Sequence, residues 1–200
     1  MGAAGLAAAG VAQRRVNPLL AAEPLATIGA AAGATEPAVR TALLPPEAGE
    51  IGLPVDPGEG LIVLNNFGAD SRSRGPCGHN GIDLLPTTEA TRILVACVDG
   101  VIDGQRIDAG AQGNAWILKD AQGIAYRYHH IDEFADGLEV GSAVTRGQPI
   151  GTMGQSGNAG SPHLHFEVRL DGSSGTAIDP VPLISFPIPG VELTGPIRCG

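Results

Sequence analysis

The sequence predicts an all-β domain, with antiparallel sheets forming a small sandwich or barrel-like unit, preceded by an Ala/Pro-rich leader. Three observations lead there. Gly (30) and Pro (16) are abundant in 200 residues, so turns are many and helices few. From residue 51 onward, short apolar runs alternate with Gly, Asp and Asn turn signals. Those runs have strand length and follow one another at the spacing of sandwiches and barrels.

Residues 1–50 are Ala-rich, then Pro-containing (LLPPEAGE, 43–50), without alternation or turn spacing. They read as a flexible or weakly helical leader, a helix over part of 18–43 being the alternative. The domain is expected over 51–200. Within it LIVLNN (61–66), ILVACV (93–98), NAWILKD (114–120), GIAYRYHH (123–130) and HLHFEVRL (163–170) read as strands. Turns are expected at Asp99-Gly100, at Asp103-Gly104 and from Asp120 to Gly123. A short helical turn is expected after Asp179-Pro180, in PVPLIS.

Composition excludes several classes. Hydrophobic residues at 43% and charged residues at 16% exclude global disorder. A net charge of -9, with no basic run, argues against a nucleic-acid partner. No run of 18 apolar residues predicts a membrane span. Residues 2–12 are small and apolar, but Arg14 and Arg15 follow them instead of preceding them, so no convincing secretory signal is read. Cys77, Cys97 and Cys199 contain no CxxC. In an exported chain Cys77 and Cys97 could pair; free or buried thiols are the other reading.

All five histidines fall in the second domain: His79, His129, His130, His163 and His165. In HLH (163–165) the two imidazoles share a strand face, with backbones about 6.6 Å apart, so both can reach one site. Leu164 and Phe166 then face the core. Asp83 lies four residues after His79, about 13 Å away in an extended strand. That is too far for one zinc ion, but Gly81 permits a bend that aims both side chains at one point. His129 and His130 are adjacent, so on a regular strand only one enters the site. Two His and one Asp suit a catalytic zinc with an open position, leaving histidines for proton transfer.

The order HNGID (79–83), YHHI (128–131) and HLH (163–165) resembles the lysostaphin/LytM-type zinc metallopeptidases. VACVDGVI (95–102), GNAWILKDAQGIAYRYHHI (113–131) and VGSAVTRGQPIGTMGQSGNAGSPHLHFEV (140–168) resemble that family's hairpins and closing stretch. The likeness covers about 51–185. PTTEATRI (86–93) departs from it where a Gly-x-x turn is usual.

The resemblance implies a duplicated hybrid motif fold, Zn2+ as cofactor and peptidoglycan peptides as substrate, cut by a zinc-activated water outside the cytoplasm. It implies His79, Asp83 and His165 as zinc ligands, His130 and His163 as unliganded catalytic histidines, and His129 facing away. A non-catalytic wall-binding or amidase-activating module on the same fold is the alternative; such relatives lose zinc ligands, which are all present here. Glu167 alternates with His163 and His165, either as partner of a ligand histidine or as an exposed strand carboxylate. The Gly-rich stretch 151–160 is expected to form a flexible rim.

Overall fold

A computed structural model describes residues 46–199 apart from 48, 72 and 73. The leader expected over 1–50 lies almost entirely outside the described residues.

Among the described residues, eleven strands form one connected sheet system. They are β1 (Leu61–Leu64), β2 (Ile82–Pro86), β3 (Ile93–Val95), β4 (Gly100–Arg106), β5 (Asn114–Lys119), β6 (Ala125–Phe134), β7 (Ala143–Val144), β8 (Pro149–Met153), β9 (Leu164–Arg169), β10 (Ala177–Ile178) and β11 (Val191–Leu193). The main path runs β11-β1-β2-β9-β6-β5-β4-β7. Pairings along it are antiparallel except β1 with β11, which is parallel. The ten-residue β6 pairs with β9 through His129, then with β8 from Ile131. It therefore passes from the main sheet into the β3–β8 ribbon.

Alternation explains the core. Leu61 and Val63, Ile82 and Leu84, Tyr126 and Tyr128, and Leu164, Phe166 and Val168 all face inward. Side chains from β3, β4, β5 and β8 join the same cluster, with Trp116, Ile102 and Leu94 fully buried. Polar tips find partners: the Tyr128 hydroxyl accepts from the Cys97 N–H and donates to the Val95 carbonyl, and Trp116 Nε1 donates to Ile150.

The expected strands are present, although ILVACV leaves strand geometry after Val95. The helical turn after Asp179-Pro180 is a 3-10 turn at Val181–Leu183. Asp103-Gly104, expected as a turn, lies inside β4 at a register shift. A bulge absorbs the extra residue without ending the strand. The 86–93 stretch bends around buried Arg92, which donates to the carbonyls of Gly60 and Ala90.

The cysteine expectation needs correction. Cys77 bonds Cys199, and Cys97 is a buried free thiol raised to about 12 by its burial. Cys97 sits in the apolar core next to the Tyr128 hydroxyl, out of reach of Cys77. The terminal segment reaches Cys77 because β11 runs beside β1 and Ile197 N–H continues onto the Asn65 carbonyl.

Candidate metal centre

Strand register builds the site. Asp83 on β2 pairs with His165 on β9, and His165 pairs with His129 on β6. These three therefore stand in one row across neighbouring strands. On the opposite face, Ile82, Phe166 and Tyr128 form the matching row in the core. His79 reaches the row from the segment before β2. Gly81 allows this, because a Cβ there would stand 2.3 Å from the Phe166 carbonyl oxygen. The bend brings His79 Nε2 within 3.3 Å of Asp83 Oδ2.

His165 Nδ1 lies 3.0 Å from Asp83 Oδ1. One donor atom each from His79, Asp83 and His165 lies within 4.8 Å of the others. Tautomers, assigned from hydrogen-bond partners, sharpen the picture. His79 Nδ1–H donates to the Asn66 carbonyl at 2.9 Å, leaving a lone pair on Nε2. His165 Nε2–H donates to Glu167 Oε1 at 3.1 Å, leaving a lone pair on Nδ1. With both rings neutral, two imidazole lone pairs and a carboxylate face one another, an arrangement relieved either by a ring proton donated to Asp83 or by a cation between them. Tetrahedral zinc, with bonds of about 2.0–2.2 Å, spaces its ligand atoms about 3.3–3.6 Å apart. The three donor atoms, all within 4.8 Å of one another, stand close enough for such an ion to draw them in.

The electrostatics agree. Burial alone would raise the Asp83 carboxyl, but hydrogen bonds from His165 and His79 hold it well below the usual carboxylate range. Burial disfavours charge on His165, yet hydrogen bonds to Asp83 and Glu167 win and raise its pKa. Glu167 is fully buried behind His165, and Arg74, Arg127 and Arg169 surround it at 3.0, 3.1 and 2.6 Å. It is not the exposed strand carboxylate that its position on β9 also allowed.

His130 and His163 complete the groove. His130 Nδ1–H donates to the Ser156 carbonyl and His163 Nδ1–H to the Ser161 carbonyl, each at 2.8 Å. Both rings thus present Nε2 away from those carbonyls, and His163 Nε2 lies 3.8 Å from Asp83 Oδ1. The two ring centroids are 4.7 Å apart. Burial lowers the His130 pKa to about 4, so its imidazole is neutral at physiological pH.

His129 does not face away. Regular alternation would put His129 and His130 on opposite faces, but His130 has φ 64° and falls at the register shift between β5 and β6. The bulge turns His130 onto the face that His129 already occupies, and both line the groove. His129 is 1% exposed and neither ring nitrogen has a hydrogen-bond partner among the described residues. Burial, then the neighbouring His165, hold it well below the ordinary histidine range.

The Gly-rich rim is also tighter than expected. Ser156 Oγ donates to the Ile131 carbonyl and accepts from Asn114 N–H, while Asn158 N–H donates to Ala111. Gly157, at φ +72°, comes so close that a Cβ would sit 2.4 Å from the Gly113 nitrogen. Here glycine serves close packing of two loops. Asn66, which touches both His79 and Asp83, carried no site signal in the sequence, where it reads only as the end of the strand LIVLNN.

The fold and this groove define a metallopeptidase-type domain. The chain belongs to Peptidase family M23, whose model matches residues 77–180. It is 34% identical over 118 residues to the DD-carboxypeptidase/endopeptidase Mpg of Neisseria meningitidis, covering 58% of this chain and 24% of that protein. It is 34% identical over 93 residues to the glycyl-glycine endopeptidase ALE-1 of Staphylococcus capitis, covering 44% of this chain and 25% of that one. The solved catalytic domain of lysostaphin from Staphylococcus simulans superposes with a TM-score of 0.51 at 28% identity, covering 59% of this chain and 87% of that domain. The chain spans about a quarter of the length of the curated relatives it matches. Among the described residues no helix is long and apolar enough to cross a membrane.

Proposed function

We propose that this chain is a zinc metalloendopeptidase that hydrolyses peptide cross-links in bacterial peptidoglycan. The observation that carries the reading is the convergence of His79 Nε2, Asp83 and His165 Nδ1 as facing electron-pair donors, beside two further imidazoles. His79, Asp83 and His165 would hold the ion. Bound zinc supplies Lewis-acid polarisation of the scissile carbonyl and acidifies the attacking water.

The chain's own residues supply the rest. The Ser156 and Ser161 carbonyls orient His130 and His163, so that each offers Nε2 for proton transfer. One ring accepts the water's proton. The other, when protonated, donates to the developing oxyanion and then to the leaving amine. Asp83, held ionised, favours a cation in the site and stays an acceptor. The names of Mpg, a DD-carboxypeptidase/endopeptidase, and of ALE-1, a glycyl-glycine endopeptidase, support peptide bonds as the substrate class. The Cys77–Cys199 disulfide supports action outside the reducing cytoplasm.

Metal analysis with an activity assay tests the reading. One zinc per chain is expected, and Asp83→Ala or His165→Ala should lose zinc and turnover together. Full activity in either folded variant would sink the assignment.

A further inference from the structure

Asn66 stands just beyond the end of β1, 8% exposed. The β1–β2 register pairs Leu64 with Asp83, so the chain leaving β1 passes directly beside the proposed ligands. Asn66 grips Asp83 twice. Its Nδ2–H donates to Asp83 Oδ2 at 2.9 Å, and its Oδ1 accepts the Asp83 backbone N–H at 3.1 Å. Its backbone carbonyl accepts Nδ1–H of His79 at 2.9 Å. One residue therefore contacts two of the three proposed ligands, by two different groups.

We propose that Asn66 is a positioning residue that sets the metal affinity of the His79/Asp83/His165 site, by fixing the Asp83 carboxylate plane and leaving His79 Nε2 unprotonated. The inference rests on the metal-site reading above. A carboxylate held by only one contact rotates, and an imidazole without an Nδ1 acceptor populates both tautomers. Each freedom must be lost when a cation binds, which weakens affinity. Residues that orient ligands in this way typically change metal affinity about 10–100-fold when removed. Asn66 is not itself offered as a ligand: its amide nitrogen is a donor aimed at Asp83, and its Oδ1 is occupied by a backbone N–H.

The test uses the full chain and Asn66→Ala, which removes both side-chain bonds to Asp83 and leaves the backbone carbonyl on His79 in place. The zinc Kd of each is measured by competition with a chromophoric chelator, alongside a thermal melt. The variant should bind zinc about 10–100-fold more weakly while still melting cooperatively. Wild-type affinity in the folded variant overturns the inference alone. No zinc binding by the wild-type chain overturns the metal-site reading, and this inference with it.

Whether or not the alanine variant folds, 15N imidazole NMR of the zinc-loaded wild-type chain tests the His79 contact, which the substitution leaves in place. A protonated Nδ1 on His79, its proton shifted downfield by a hydrogen bond, supports the clamp. Zinc on Nδ1 with a protonated Nε2 overturns it.

Discussion

The His165 imidazole bridges two carboxylates, with Nε2 3.1 Å from Glu167 Oε1 and Nδ1 3.0 Å from Asp83 Oδ1. Glu167 fixes the tautomer, and with it the nitrogen that faces the proposed metal. Glu167→Gln keeps the shape but removes the charge, and zinc affinity should fall about 10–100-fold. Glu167→Ala also leaves Arg74, Arg127 and Arg169 without their shared counter-ion. Breaking a buried ion cluster in this way costs about 3–5 kcal/mol. Zinc competition titrations and thermal melts check both; an alanine variant that melts with the wild type would refute the ion-cluster argument.

His163→Ala and His130→Ala should keep zinc and lose turnover by about 10²–10⁴-fold, the usual share of a general acid or base. Neither side chain is among the three converging donors, yet each is oriented by a backbone carbonyl. Zinc content by mass spectrometry and initial rates on the same sample separate binding from chemistry. Cleavage by His163→Ala at the wild-type rate would remove His163 from the mechanism.

The Cys77–Cys199 bond closes a 122-residue separation two positions before His79. Disulfides of this kind typically contribute about 2–4 kcal/mol, mainly by restricting the unfolded chain. Cys77→Ser should therefore lower Tm by on the order of 10 °C for a domain of this size. Scanning calorimetry of the oxidised and the variant chain measures it. Coincident melts would show that the β1–β11 pairing holds the terminal segment by itself.

Burial holds His129 well below the ordinary histidine range and His130 at about 4. Unfolded, each titrates near 6.5. Between about pH 6.5 and 4 the unfolded chain binds more protons, so stability falls as acid is added. His130 alone accounts for on the order of 3 kcal/mol by pH 4. His165, whose pKa is raised, contributes fully below its unfolded value and does not reverse this slope. Melts across that window with chelator present should show a steady decline, flattened in His130→Phe. A constant Tm from pH 6.5 to 4 would contradict buried neutral rings.

Much of this was legible in the sequence because period-2 alternation writes a strand's face directly. HLHFE gives Leu164 and Phe166 to the core and sets His165 and Glu167 together on the other face, as found. Gly81 between His79 and Asp83 likewise announced a bend. The misses share a cause: they depend on tertiary register. The bulge at His130 is set by β5 and β6 together, whereas regular alternation admits only one of the adjacent pair and the resemblance then turned His129 away. Cys199 meets Cys77 only because β11 returns beside β1. The Gly-rich rim reads as slack until Ser156 and Asn158 find partners on other loops.

Digestion of purified peptidoglycan with the zinc-loaded chain, with and without chelator, with the fragments read by mass spectrometry, tests the proposed activity most directly. New free amino and carboxyl ends at peptide bonds are expected, with no new reducing sugar ends and with loss of both peptide ends when chelator is present. New sugar ends, peptide cleavage that chelator leaves untouched, or intact peptidoglycan after treatment with folded, zinc-loaded protein would contradict that activity.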